Sequence, residues 1–266
     1  MPRWTPDDIP WDSFLPGKLA TDLLMLVKAA ALTEYNAACY TQYLKNVFAD
    51  DGDLAATVEE WQREEEQHGR MLGRYAEMAD PSFDFAAAFQ AFREGYVIPV
   101  DVTTSVRGSR TGELLARCVV ETGTSSFYTA IREATEEPVL REICRRIAGD
   151  EFRHYRMFLE GLAKYQAREP LSLLGRIRVA IGRVKESDDD ELAFAWHCGN
   201  GQGDAYDRDR CNQAYARRAY GIYRYHHAER AVGMIFKASG LNGQGWLGRK
   251  ASRWAFNRMQ ARARCA

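Results

Sequence analysis

Apolar residues recur every three or four positions through most of the first two-thirds of the chain, the period of helices that each bury one face. Four long helices follow from that pattern. Helix A is predicted from about Leu19 to Phe48, closed by the DDGD turn, and helix B from about Leu54 to Met78, ending at ADPS. A connector from about Asp80 to Arg110 holds a short helical piece, AAAFQAFREGY, and an extended one, VIPVDVTTSVRGS. Helix C is predicted from about Gly112 to Ala134 and helix D from about Glu136 to Gln166, where Pro138 is tolerated in the first turn. Short A–B and C–D turns make two antiparallel hairpins. The long B–C link lets the second hairpin dock on the first, so the expected fold is an all-α four-helix bundle with one crossover connection.

The last hundred residues are less regular. LSLLGRIRVAIGRVK has the pattern of a basic amphipathic helix, and ESDDDE that of a solvated turn. One helix is predicted from about Asp207 to Ala238, and after the Gly-rich GLNGQG a final basic helix from WLGRKASRWAFNRMQARARCA. The expected division is therefore a bundle over residues 1–168, with an N-terminal lead-in, and a helical extension over 169–266 packed on it.

Charge sharpens that division. The net charge of the chain is -1. Residues 1–160 hold 17 Lys+Arg against 27 Asp+Glu, and residues 161–266 hold 19 against 10, so the two parts carry -10 and +9. The basic part is expected either to pack on the acidic bundle or to meet an acidic carrier protein, a redox partner or an anionic membrane surface. No nucleic-acid motif accompanies it, so no nucleic-acid partner is expected. No apolar run is long enough to cross a bilayer, and MPRWTPDDIPWDSF is too acidic and polar for a secretory signal. A cytoplasmic location is expected, with peripheral contact to the inner membrane as an option. The six cysteines are scattered with no CxxC, which excludes a rubredoxin-type iron site and a zinc ribbon and predicts reduced thiols.

The chemistry lies in a doubled pattern. With 20 Glu and 5 His in 266 residues, chance placement gives fewer than one Glu-x-x-His; this chain has two, Glu65-x-x-His68 on helix B and Glu151-x-x-His154 on helix D. Each is preceded by a lone Glu on the partner helix, Glu34 on A and Glu121 on C, at spacings of 31 and 30. Glu121 and Glu151 lie at similar distances from the C–D turn, and Glu34 and Glu65 from the A–B turn. Across antiparallel hairpins, each pair then meets at one height. Residues at i and i+3 share a helix face, so each Glu and His point inward together. The flanks AALTEYNAACY, RCVVETGTSSF and RRIAGDEFRHYRMF are apolar, where isolated carboxylates are costly unless a cation neutralises them. Four carboxylates and two imidazoles at one level suit two iron ions, or manganese in place of one or both. Glu64 and Glu66 lack a His three residues on and are read as supporting or solvated.

WQREEEQHGRML, ETGT and ICRRIAGDEFRHYRMF resemble segments of the soluble acyl-carrier-protein desaturases, within the ferritin-like di-iron carboxylate superfamily; the likeness covers residues 19–166. It implies a ferritin-like bundle with additional C-terminal helices and an oxygen-activating oxidoreductase of monooxygenase, hydroxylase or desaturase type. By the same likeness Glu34, Glu65, His68, Glu121, Glu151 and His154 are the metal ligands, and Thr124 is a hydroxyl near bound oxygen. Asp150 hydrogen-bonds a ligand histidine, His68 in particular, and Trp61 belongs to an electron path. An external ferredoxin or reductase supplies electrons, since no flavin or iron–sulfur motif is visible. A homodimer is compatible with such a protein. The chain is shorter than the desaturases, and its last third matches them only loosely. Rubrerythrins share the six ligands but add a Glu where this chain has Thr124; aldehyde-deformylating oxygenases have comparable spacing. The alternative function is a ferroxidase or a rubrerythrin-like peroxidase.

Overall fold

The computed structural model describes residues 4–186, 190–201 and 203–264. These are helical with connecting turns, and no strand occurs among them. The helices are α1 (Thr21–Tyr35), α2 (Ala37–Val47), α3 (Gly52–Ala79), α4 (Phe85–Gly95), α5 (Arg110–Ala134), α6 (Pro138–Arg168), α7 (Leu173–Lys185), α8 (Asp190–Asn200), α9 (Arg208–Gly221), α10 (Tyr225–Ser239) and α11 (Trp246–Arg264). Short 3-10 turns precede α1.

Local chemistry sets the helix starts. The side chains of Asp51 and Ser109 accept the Leu54 and Gly112 amides at the heads of α3 and α5. Glu137 accepts two, from Val139 and Leu140, ahead of Pro138, whose missing N–H costs nothing at that position. Helices α3, α5 and α6 match the expected B, C and D to within a few residues at each end.

Three expectations need correction. Helix A is not continuous: it breaks at the buried Asn36, immediately after Tyr35, where the Asn36 amide bonds to the Thr33 carbonyl and the turn tightens. Asn is a weak helix former, and the apolar periodicity runs on through the break and so conceals it. The helix expected from Asp207 to Ala238 is two, α9 and α10. Gly221 ends the first, and the His227 ring accepts the Arg224 amide to begin the second. The solvated turn ESDDDE lies in part outside the described residues, at 187–189; its last two residues, Asp190 and Glu191, open α8. That helix packs on α1, with Gly199 against Lys28.

α5 and α6 run against each other as a hairpin, α1 and α2 pack on α3, and α3 meets α6. The apolar core falls into two clusters. One holds Leu32, Leu72, Tyr128 and Ile147; the other holds Leu44, Trp61, Leu115 and Phe158. Helices α3, α5 and α6 each pass from one cluster to the other, and α1–α2 does so as a pair. The polar residues at the crossing form a single layer: Glu34, Glu65, His68, Glu121, Glu151 and His154. The C-terminal helices close around the outside, α8 on α1 and α7 and α10 on α5. No described helix is long and apolar enough to cross a membrane.

Gly69 permits this layer. A Cβ there would lie 2.6 Å from both the backbone N and the Cβ of Tyr35, so α1 and α3 touch through it beside Glu34 and His68. Gly69→Ala gains helix propensity but must push the two helices apart, because no rotamer relieves a clash with backbone. We expect a net loss of about 1–3 kcal/mol in chemical denaturation. Equal or greater stability would show that the contact is slack.

Candidate metal centre

The six residues in the layer are among the most buried polar groups of the protein, none more than 7% exposed. Glu34 comes from the last turn of α1, Glu65 and His68 from α3, Glu121 from α5, and Glu151 and His154 from α6. They fall into two overlapping groups whose ligand-capable atoms lie within 4.8 Å of one another: Glu34, Glu65, His68 and Glu151, and Glu65, Glu121, Glu151 and His154. Glu65 and Glu151 belong to both.

Each of the six turns one buried atom inward that makes no well-directed hydrogen bond: Glu34 Oε2, Glu65 Oε1, His68 Nδ1, Glu121 Oε1, Glu151 Oε1 and His154 Nδ1. These atoms face one another, with His154 Nδ1 3.0 Å from Glu65 Oε1 and His68 Nδ1 3.1 Å from Glu151 Oε1. Buried polar atoms are nearly always paired, because a lost hydrogen bond in the interior is not replaced by water. Six such atoms converging from four helices therefore form a donor set that could hold cations. Their chemistry, carboxylate oxygen and imidazole nitrogen, fits divalent transition-metal ions.

The atoms facing away from the centre are tied down. His68 Nε2 lies 3.1 Å from Asp150 Oδ2, and His154 Nε2 lies 2.7 Å from Glu64 Oε2. Each imidazole is held with Nδ1 inward by a carboxylate behind it, the arrangement that fixes the tautomer of a metal-ligating histidine. Arg153 donates to both supporting carboxylates, at 2.6 Å to Asp150 and 3.1 Å to Glu64. The Tyr128 hydroxyl donates to Glu34 Oε1 at 2.6 Å. Thr124 Oγ1, one turn after Glu121, donates to the Glu151 carboxylate.

Asp150 thus stands behind His68. Glu64, read from sequence only as supporting or solvated, performs the same task for His154. Trp61 is buried edge-on against Phe158 at 5.9 Å, and its indole N–H has no partner among the described residues. The tryptophan joined to the histidine support is Trp4, which sequence reasoning missed. Its indole donates to Asp150 at 2.6 Å and its ring stacks on His68 at 6.2 Å. The contact spans 146 positions, so no local pattern signals it.

A further group, Glu133 with His226 and His227, also brings ligand-type atoms together. It is a poor metal site. His227 Nδ1 accepts the Arg224 amide at 3.0 Å, so its Nε2 carries the proton and donates to Glu133 at 3.1 Å, leaving no lone pair for an ion.

Without metal, protons balance the layer. Burial and the neighbouring Glu65 push Glu34 up to about 8, and burial also drives Glu121 well above the carboxylate range. Burial works against charge on the imidazoles as well. For His68, the Asp150 carboxylate behind it and the Glu151 carboxylate facing its Nδ1 outweigh burial and hold its pKa well above the usual value; for His154, the carboxylates of Glu121 and Glu64 do the same. Bound cations would take over that role.

A scan against protein-family models finds no match to this chain, and no curated protein matches it in sequence.

The four upward shifts carry a stability signature. Above pH 4.5 for Glu34 and Glu121, and above 6.5 for His68 and His154, the folded metal-free protein keeps protons that the unfolded chain has released, Glu34 up to about 8. Its stability must then fall as pH rises through that window. Bound metal replaces those protons and reverses the preference. We expect the melting temperature of chelator-treated protein to drop as pH is raised across this window, and that of metal-loaded protein to hold or rise. Parallel curves would contradict the charge balance described.

Proposed function

We propose that this protein is a ferritin-like di-iron oxidoreductase that uses dioxygen to oxidise an organic substrate. The observation that carries the reading is the convergence of six inward-facing ligand-type atoms from six buried residues. Four carboxylates match the charge of two divalent ions, and neutral imidazoles complete a donor set suited to iron, with manganese as a substitute. Glu34, Glu65, His68 and Glu151 would hold one ion, and Glu65, Glu121, Glu151 and His154 the other.

Bound iron supplies the redox chemistry that activates dioxygen, with electrons from a separate ferredoxin or reductase. The protein's own part is positional. Asp150 and Glu64 hold the imidazoles in the ligating tautomer, Tyr128 fixes Glu34, and the two apolar clusters keep bulk water from the layer. Thr124 holds a proton on Oγ1 against the Glu151 carboxylate, beside the layer, where it can donate to an incoming oxygen species.

The alternative is iron oxidation or peroxide reduction on the same six residues. A store requires a cage of many subunits, and a peroxidase consumes hydrogen peroxide rapidly without organic substrate. Size measurement and peroxide turnover separate these readings from ours.

Anaerobic loading with ferrous iron should give about two ions per chain. Glu65→Ala or Glu151→Ala should remove at least one of them while leaving the helical content in place. A single tightly held zinc, indifferent to both substitutions, would refute the assignment. Thr124→Val should keep the iron but change the rate of oxidation of the reduced centre by about tenfold or more. Unchanged kinetics would remove the threonine from the chemistry.

A further inference from the structure

Seven of the twelve large apolar side chains exposed among the described residues lie on two helices, α7 and α11. On α7 they are Leu173, Leu174, Ile181 and Val184, with Leu174 79% exposed. On α11 they are Trp246, Leu247 and Trp254. In a helix of 3.6 residues per turn, Leu174, Ile177, Ile181 and Val184 fall in one arc, because they are three or four residues apart. The exposed Arg178 and Lys185 run along one edge of that arc, and the buried Ala180 lies on the inward side. The arc is an apolar stripe with a cationic border, turned away from the core.

α11 repeats the arrangement. Leu247 and Trp254 are seven residues apart and share a face. Lys250 lies between them and also sits over the Trp246 ring at 4.8 Å; Arg258 stands by Trp254 at 5.8 Å. Neither α7 nor α11 contains a single acidic residue. Arg178, Lys185, Lys250, Arg253 and Arg258 make no ion pair among the described residues. Both helices pack on α10: the Arg176 guanidinium of α7 lies against Gly240, the left-handed cap of α10, and residues 241–245 lead from there into α11.

We propose that α7 and α11 form a peripheral membrane-docking surface that seats on an anionic lipid bilayer. Aliphatic side chains enter the acyl boundary, tryptophans settle at the headgroup level, and Arg and Lys side chains reach lipid phosphates. Charge complementarity selects this occupant. A second copy docking through the same face would bring two cationic borders together with no acidic residue on either helix to offset them. An acidic protein would be drawn by the cations, but the aliphatic arc of α7 offers it no hydrogen-bonding group between Leu174 and Ile181 except the Arg178 edge. The surface lies outside the metal layer, so the inference stands independently of the chemistry proposed there.

The test is flotation of the full-length, iron-loaded protein with lipid vesicles, either phosphatidylcholine alone or with about 30 mol% phosphatidylglycerol. Binding to the anionic vesicles should exceed that to the neutral ones by about tenfold or more and weaken as added salt shortens the roughly 8 Å screening length of physiological buffer. Leu174→Glu with Ile181→Glu should abolish binding, and Arg178→Glu with Lys185→Glu should do so without touching an apolar residue. Trp246→Ala with Trp254→Ala should weaken it about tenfold. Helical content and iron stoichiometry serve as folding controls, and substitution at exposed positions should leave both unchanged. Equal binding to both vesicle types, no binding to either, or binding unaffected in the well-folded variants would overturn the proposal. So would a wild-type dimer in solution that the α7 substitutions convert to monomer, since the face would then be a subunit contact.

Discussion

Four carboxylates gathered in an apolar interior must be compensated, and that requirement governs the architecture. At 4 Å and an effective dielectric of about 20, two like charges repel by about 4 kcal/mol, and the layer contains several such pairs with little water to screen them. Protons can relieve part of this, as the raised Glu34 and Glu121 show. Cations relieve more, since each also fills the positions of unpaired donor atoms. Helix starts, the Gly69 contact and the α5–α6 hairpin all serve to bring six side chains to one level where that compensation can occur.

The shell behind the layer explains its order. An imidazole free to rotate would turn Nδ1 or Nε2 inward at random. Asp150 and Glu64 remove that freedom; against the cost of burial, His68 and His154 hold their carboxyls below the usual range, and Arg153 between them adds to this and fixes both in place. Trp4 draws the N-terminal lead-in across α6 by bonding to Asp150, and Gln67 on α3 donates to the Trp4 carbonyl. The lead-in is therefore part of the support of His68.

How much was legible in the sequence depended on whether the signal was local and repeated. Glu65-x-x-His68 and Glu151-x-x-His154 each lie on one helix face, and their doubling with Glu34 and Glu121 fixes their relative heights. The structure brings all six together. The Asn36 break was hidden because apolar residues continue at helical spacing on both sides of it. α8 was lost because Asp190 and Glu191 mark its first turn and read equally as a solvated loop. Trp4 could not be found by periodicity, since its value lies in a contact with a residue on the far side of the chain. The two cationic helices α7 and α11 were legible as basic, but not as bearing outward apolar arcs. Composition does not tell which side of a helix packs inward.

The most direct test of the central claim is crystallographic. Crystals of the protein loaded anaerobically with iron should show two anomalous-scattering peaks about 3.5–4 Å apart, both within reach of Glu65 and Glu151. One should lie against His68 Nδ1 and Glu34, the other against His154 Nδ1 and Glu121. A lone peak, or density at the outward Nε2 atoms beside Asp150 and Glu64, would contradict the account.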